Sequence, residues 1–125
     1  MQSNQEKIIK AKLNELSKSK FRTSFKLNKE DIEYINKKGF EKIKDHTYEF
    51  INEKLKPAII KNDGKQTPTH NHPTFKAMHA TATCCRECLY KWHHIAKDRE
   101  LTNNEINYIV LLILTWIKQE YNKSN

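Results

Sequence analysis

Three cysteines fall within five consecutive positions, Cys84, Cys85 and Cys88, and they stand beside an unusual density of imidazoles. Five of the six histidines (His70, His72, His79, His93 and His94) lie between residues 70 and 94. Cys85-x-x-Cys88 is a two-thiolate hook whose sulfurs can both reach one ion at about 2.3 Å, and a mixture of thiolate and imidazole suits zinc better than calcium or magnesium. His79, Cys85 and Cys88 therefore form the core of a candidate zinc site. An odd number of cysteines crowded together does not read as a structural disulfide framework.

Two ligand sets compete. Cys85-x2-Cys88-x4-His93 matches the first three ligands of a zinc knuckle, but Asp98 stands where the fourth, a cysteine, belongs. If residues 84–95 form one continuous helix, His93 lies about 12 Å along the axis from Cys85, too far to share its ion. A hook in the first turn of a helix can instead join His79, just upstream, and His72, brought in by the preceding loop. A helix N-terminus also lowers thiol pKa and so favours the thiolates a metal requires. The expected ligands are His72, His79, Cys85 and Cys88, with His93 and Cys84 as alternates. Cys84 pairs with Cys88 at i, i+4 as readily as Cys85 does at i, i+3. Two blander readings stand beside this one. The cysteines can be small buried hydrophobes among satisfied histidines, or a redox pair of the thioredoxin kind, for which the βαβ setting is missing.

The elements that must position these residues are helical. Ile8, Ile9, Leu13 and Leu16 form the stripe of a short helix in a Lys-rich arm, residues 1–20, and Phe21, Phe25 and Leu27 pin that arm to the body. Asn28 reads as an N-cap with Glu30 and Asp31 in the first turn, and Gly39 as the residue that ends that helix. A second helix runs from Phe40 to Pro57. Residues 61–73 carry Asn62-Asp63-Gly64 and two prolines and read as a loop with turn chemistry at Asp63 and Gly64; Gly64-Lys65 lacks the spacing of a P-loop. Thr83 is the expected cap of a helix through Leu89, Trp92 and Ile95. Thr102 and Glu105 make a capping box for a last helix whose broad apolar face, Ile106, Ile109, Val110, Ile113, Trp116 and Ile117, marks it as the central core element. No segment keeps a strand period for long. The expected fold is all-α, a small helical bundle occupying residues 21–121, with a disordered tail over 122–125.

The 125-residue chain has room for one modest core. It carries 23 Lys and Arg against 15 Asp and Glu, a net charge of +8. That balance suits an anionic partner, nucleic acid or an acidic protein. Arg86, Lys91, Lys97 and Arg99 put positive charge around the site, although a solvated face explains them as well. The N-terminus lacks the apolar run of a signal peptide and the longest apolar stretch, Tyr108 to Leu114, is too short for a bilayer, so the expected location is the cytoplasm, away from membranes.

The segments Asn62-Asp63-Gly64-Lys65-Gln66-Thr67-Pro68, His72-Pro73, His79-Ala-Thr-Ala-Thr-Cys-Cys-Arg-x-Cys88-Leu and Lys91-Trp92-His93 resemble the signature of a bacterial family of small uncharacterised proteins, DUF4186. The resemblance runs from about Ser19-Lys20-Phe21-Arg22 to Tyr108-Ile109-Val110 and Trp116-Ile117. It brings no established activity. This chain has Asn71 where the family pattern has Gly, and Met78 where it has Gln.

Three functions follow. The first is a zinc-stabilised binding module with a closed structural site and a Lys-rich surface for nucleic acid. The second is a metal-dependent hydrolase with water in an open fourth position and Glu87, His93 or His94 as general base. The third is an interaction adaptor using the aromatic residues of the arm. The compact base-and-ligand motif of known zinc hydrolases is absent, which favours the first.

Overall fold

The fold is built around one helix, α7 (Asn103–Lys123), in a computed structural model that describes residues 3–124. Thr102 accepts from the Glu105 amide and Glu105 returns a bond to the Thr102 amide, which fixes where α7 starts. Ile106, Ile109, Val110, Leu112, Ile113, Leu114 and Ile117 are all buried, so α7 is covered on more than one side. The covering helices are α1 (Asn4–Leu16), α4 (Phe40–Lys54) and α5 (Pro73–Ala80). Two others complete the frame, α2 (Lys20–Thr23) and α3 (Lys29–Lys38), with α6 (Arg86–His93) carrying the cysteines. Seven helices and no strands occur among the described residues, an all-α fold as the periodicity indicates.

Local sequence explains most of the boundaries. Ser3, Ser19 and Asn28 cap α1, α2 and α3 through their side chains, and Asn28 with Asp31 forms a full capping box. Gly39, at φ 82, ends α3 and starts α4 without an intervening loop. The Lys-rich arm is a docked helix: Ile9 and Leu16 are buried, and Lys12 Nζ donates to Trp92 O at 2.6 Å. The segment 122–125 begins inside α7, which continues to Lys123; residues 1, 2 and 125 lie outside the described residues.

Two elements differ from the sequence reading. Pro73 is not the end of a loop but the first residue of α5, where its missing amide is harmless. Its cap is a histidine: His72 Nδ1 accepts from Thr74 N–H at 3.0 Å. Helix α6 begins at Cys85, whose Sγ accepts from Cys88 N–H at 3.3 Å, rather than at Thr83. It stops at His94 in the left-handed region, so Ile95 lies past its end.

The turn-rich loop meets the start of α6, as expected, but through Asp63. Its carboxylate accepts from the amides of Arg86 (2.8 Å) and Glu87 (3.1 Å), an acid at the positive end of the helix dipole. Arg86 in turn is 4 % exposed and donates to four carbonyls, those of Leu55, Pro57, Ala96 and Arg99, at 2.7–3.0 Å. It ties the end of α4 to the chain after α6 and is therefore a structural hub rather than part of a phosphate-facing surface. Arg99 pairs with Glu105 and Lys97 with Glu87, while Lys91 is exposed.

Candidate metal centre

Cys84 and Cys85 reach Cys88 because the chain reverses sharply between α5 and α6. Thr81, Ala82 and Thr83 form that reversal and are fully buried. Thr83 N–H donates to Met78 O at 2.8 Å and Ala82 N–H to His79 O at 3.4 Å, with Ala82 at φ 58. This is a Schellman C-cap in which alanine takes the left-handed position usually given to glycine. The two threonine hydroxyls lie 3.0 Å apart, and Thr81 Oγ1 also donates to Ala77 O. The sequence Ala80-Thr-Ala-Thr83 is thus a small-residue corner in which both buried threonine hydroxyls are partnered. Thr67 Oγ1 then donates to Cys84 O at 2.8 Å and fixes the residue that follows.

The sulfurs of Cys84, Cys85 and Cys88 all lie within 4.8 Å of one another, and this is the one such group of three or more metal-ligating side chains among the described residues. Cys84 and Cys85 are buried and Cys88 is partly so. Cys84, an alternate in the sequence reading, stands in the cluster on equal terms: it precedes the helix, so helical i, i+4 spacing does not govern where its sulfur goes.

Arg22 completes the site, and nothing in the cysteine motif points to it. It sits in α2 with 8 % exposure. One guanidinium nitrogen donates to His79 O at 2.8 Å and lies 3.8 Å from Cys84 Sγ; the other lies 3.4 Å from Cys88 Sγ. The thiols of Cys84 and Cys85 donating to Cys88, together with that guanidinium, pull the Cys88 thiol far below its ordinary range. Cys84 is pushed up by its hydrogen bonds to Cys85 and Cys88 and by burial. Of the two sulfurs that the guanidinium reaches, Cys88 is the nearer and the less buried.

The histidines separate according to what their ring nitrogens already do. His72 accepts at Nδ1 from Thr74, so its Nε2 carries the hydrogen and donates to His46 Nδ1 at 3.2 Å. Both nitrogens are spent, and the ring is packed with Tyr34, Phe50 and Phe75 away from the sulfurs. Burial, then His46, lowers its pKa to about 4. His93 donates from Nε2 to Thr81 O at 2.8 Å and accepts from Tyr108 OH at Nδ1, also at 2.8 Å. It props the reversal, and burial lowers its pKa to about 4. His94 and His70 are exposed. Glu87 is exposed and paired with Lys97. His79 differs from the rest. Its Nε2 faces two carbonyls, Thr67 O and Pro68 O, both at 3.1 Å, so that nitrogen carries the hydrogen and Nδ1 keeps a lone pair. The ring stacks on Phe25, with centroids 5.2 Å apart and planes 16° from parallel.

The three-sulfur cluster is a donor set for a metal ion, and no helix among the described residues is long and apolar enough to cross a membrane. No solved structure matches this chain. A family model matches residues 10–118, which takes in most of α1, the whole cysteine corner and α7 as far as Lys118. The chain belongs to the family described as Domain of unknown function (DUF4186).

Proposed function

We propose that this protein is a zinc-binding module in which Cys84, Cys85 and Cys88 hold the ion and His79, whose ring nitrogens lie outside the three-sulfur group, supplies the fourth ligand through Nδ1. The observation that carries the reading is the convergence of three sulfurs, all within 4.8 Å of one another. Charge supports it. A divalent ion with three thiolates is left with one negative charge, and Arg22 places one positive charge against two of those sulfurs. His79 has the preparation usual for a metal-bound imidazole, because its other ring nitrogen is held by backbone carbonyls that set tautomer and tilt. Four protein ligands make a closed, structural site. The engaged state of Arg86, Lys97 and Arg99 gives a nucleic-acid surface no support at this site.

The test is metal content of untagged protein together with X-ray absorption at the zinc edge. About one zinc per chain is expected, with three sulfur neighbours and one nitrogen. Cys84→Ser and Cys88→Ser should each lose the metal, whereas His79→Ala should keep the sulfur shell, lose the nitrogen neighbour and bind more weakly than the parent. Metal below about 0.2 per chain, unchanged in the cysteine variants, would overturn the reading.

A further inference from the structure

The three sulfurs are not equivalent. Cys85 Sγ is committed to capping α6, accepting from Cys88 N–H at 3.3 Å. Cys84 Sγ and Cys88 Sγ face one another at 3.7 Å. A disulfide requires about 2.05 Å, a gap that rotation of two short side chains can close. Joining the adjacent residues Cys84 and Cys85 would instead force a small strained ring. Arg22 lies against Cys84 and Cys88 and is anchored independently on His79 O, so its charge stays beside whichever of the two sulfurs is negative.

We infer that Cys84 and Cys88 are an oxidation site that closes to a disulfide with a hydroperoxide, leaving Cys85 as a free thiol, and that this disulfide and the bound ion exclude one another. The second half of the inference rests on the zinc reading; the choice of cysteine pair does not. In the first step the Cys88 sulfur, the less buried of the pair and the nearer to the Arg22 guanidinium, attacks the terminal peroxide oxygen. An S–O bond forms, the O–O bond breaks, and the departing oxygen takes a proton to leave as alcohol, or as water from hydrogen peroxide, giving a sulfenic acid. In the second step the Cys84 sulfur attacks Cys88 Sγ. The S–S bond forms, the S–O bond breaks, and hydroxide leaves with the Cys84 proton as water. Two thiols are oxidised by two electrons and one peroxide is reduced. Two of the three sulfur ligands are then unavailable, and the ion departs.

The experiment treats metal-free and zinc-loaded full-length protein with hydrogen peroxide, follows intact mass and alkylatable thiols, and locates the bond by fragmentation. Metal-free protein should lose two hydrogens and keep one alkylatable thiol, at Cys85. Bound zinc should slow the reaction by about tenfold or more, because coordinated thiolates are withheld from attack. Reduction should restore zinc uptake. Cys85→Ser should still form the bond, with circular dichroism confirming that it remains helical. A bond between Cys85 and Cys88, or oxidation that stops at sulfinic acid, overturns the inference. Zinc bound tightly with no disulfide on oxidation sinks it and leaves the zinc reading standing. A Cys84–Cys88 disulfide in protein that never takes up metal sinks the zinc reading and leaves the oxidation site.

Discussion

Arg22 reaches the cysteines across 62 and 66 positions of sequence, and it does so with a planar fork that touches His79 O, Cys84 and Cys88 at once. A lysine restores the charge but not the fork, so the two properties separate by substitution. Arg22→Ala should weaken zinc binding by about tenfold, the low end of what a lost outer-shell partner costs, and Arg22→Lys should recover only part of it. Competition against a chromophoric chelator measures both; equal affinity in all three proteins would show that the guanidinium does not tune the site. Cys85 and Cys88 are legible from spacing alone. Arg22 is not, because a single basic residue far upstream carries no mark of its partner. The histidines mislead for a related reason. Their density near the hook is real, yet a sequence shows residue types and not which ring nitrogen is already used. His72 is consumed as a helix cap and as a donor to His46, and His93 as a prop for Thr81.

At the scale of elements, the helices with ordinary caps are legible and those with unusual caps are not. Asn28, Gly39 and the Thr102–Glu105 box mark their boundaries openly. Helices α5 and α6 are eight residues each, too short for a strong period, and they are capped by a histidine and a cysteine. The entry to α5 also needs a left-handed residue, Asn71 at φ 83, and this residue is exposed. That backbone explains why glycine fits the family pattern at this position: asparagine tolerates the conformation and glycine adopts it freely. With no buried contact to lose, Asn71→Gly should be neutral to stabilising by about 0.5 kcal/mol, and Asn71→Ala should destabilise by about 1 kcal/mol. Urea unfolding of the two variants checks the sign. An alanine variant as stable as the parent would mean that the turn relaxes out of the left-handed region.

For the whole molecule, an all-α frame around α7 is legible because seven buried apolar residues recur on one long helix, but its response to acid is not, because that depends on burial. His72 and His93 are neutral in the fold, each with both ring nitrogens engaged and a pKa near 4 against an ordinary value of 6.5. A base whose folded pKa is depressed contributes nothing unfavourable above pH 6.5, where both states are neutral. As pH falls below 6.5 the unfolded chain takes up protons that the folded one refuses, and stability declines until the folded histidines also titrate near pH 4. At full effect each group is worth about 3 kcal/mol, so the pair removes a large part of the 5–15 kcal/mol that holds a domain of this size together. Metal-free protein isolates this effect from acid release of the ion. It should be at its most stable near neutrality and lose several kcal/mol between pH 6.5 and about 4.5. His72→Asn keeps a good helix cap without a titrating ring, so it should flatten about half of that slope even if its stability at pH 7 is lower. Chemical denaturation at the two pH values, on parent and variant, decides it. A slope that is unchanged in His72→Asn would place the acid sensitivity elsewhere and undo the assignment of His72 as a buried neutral imidazole.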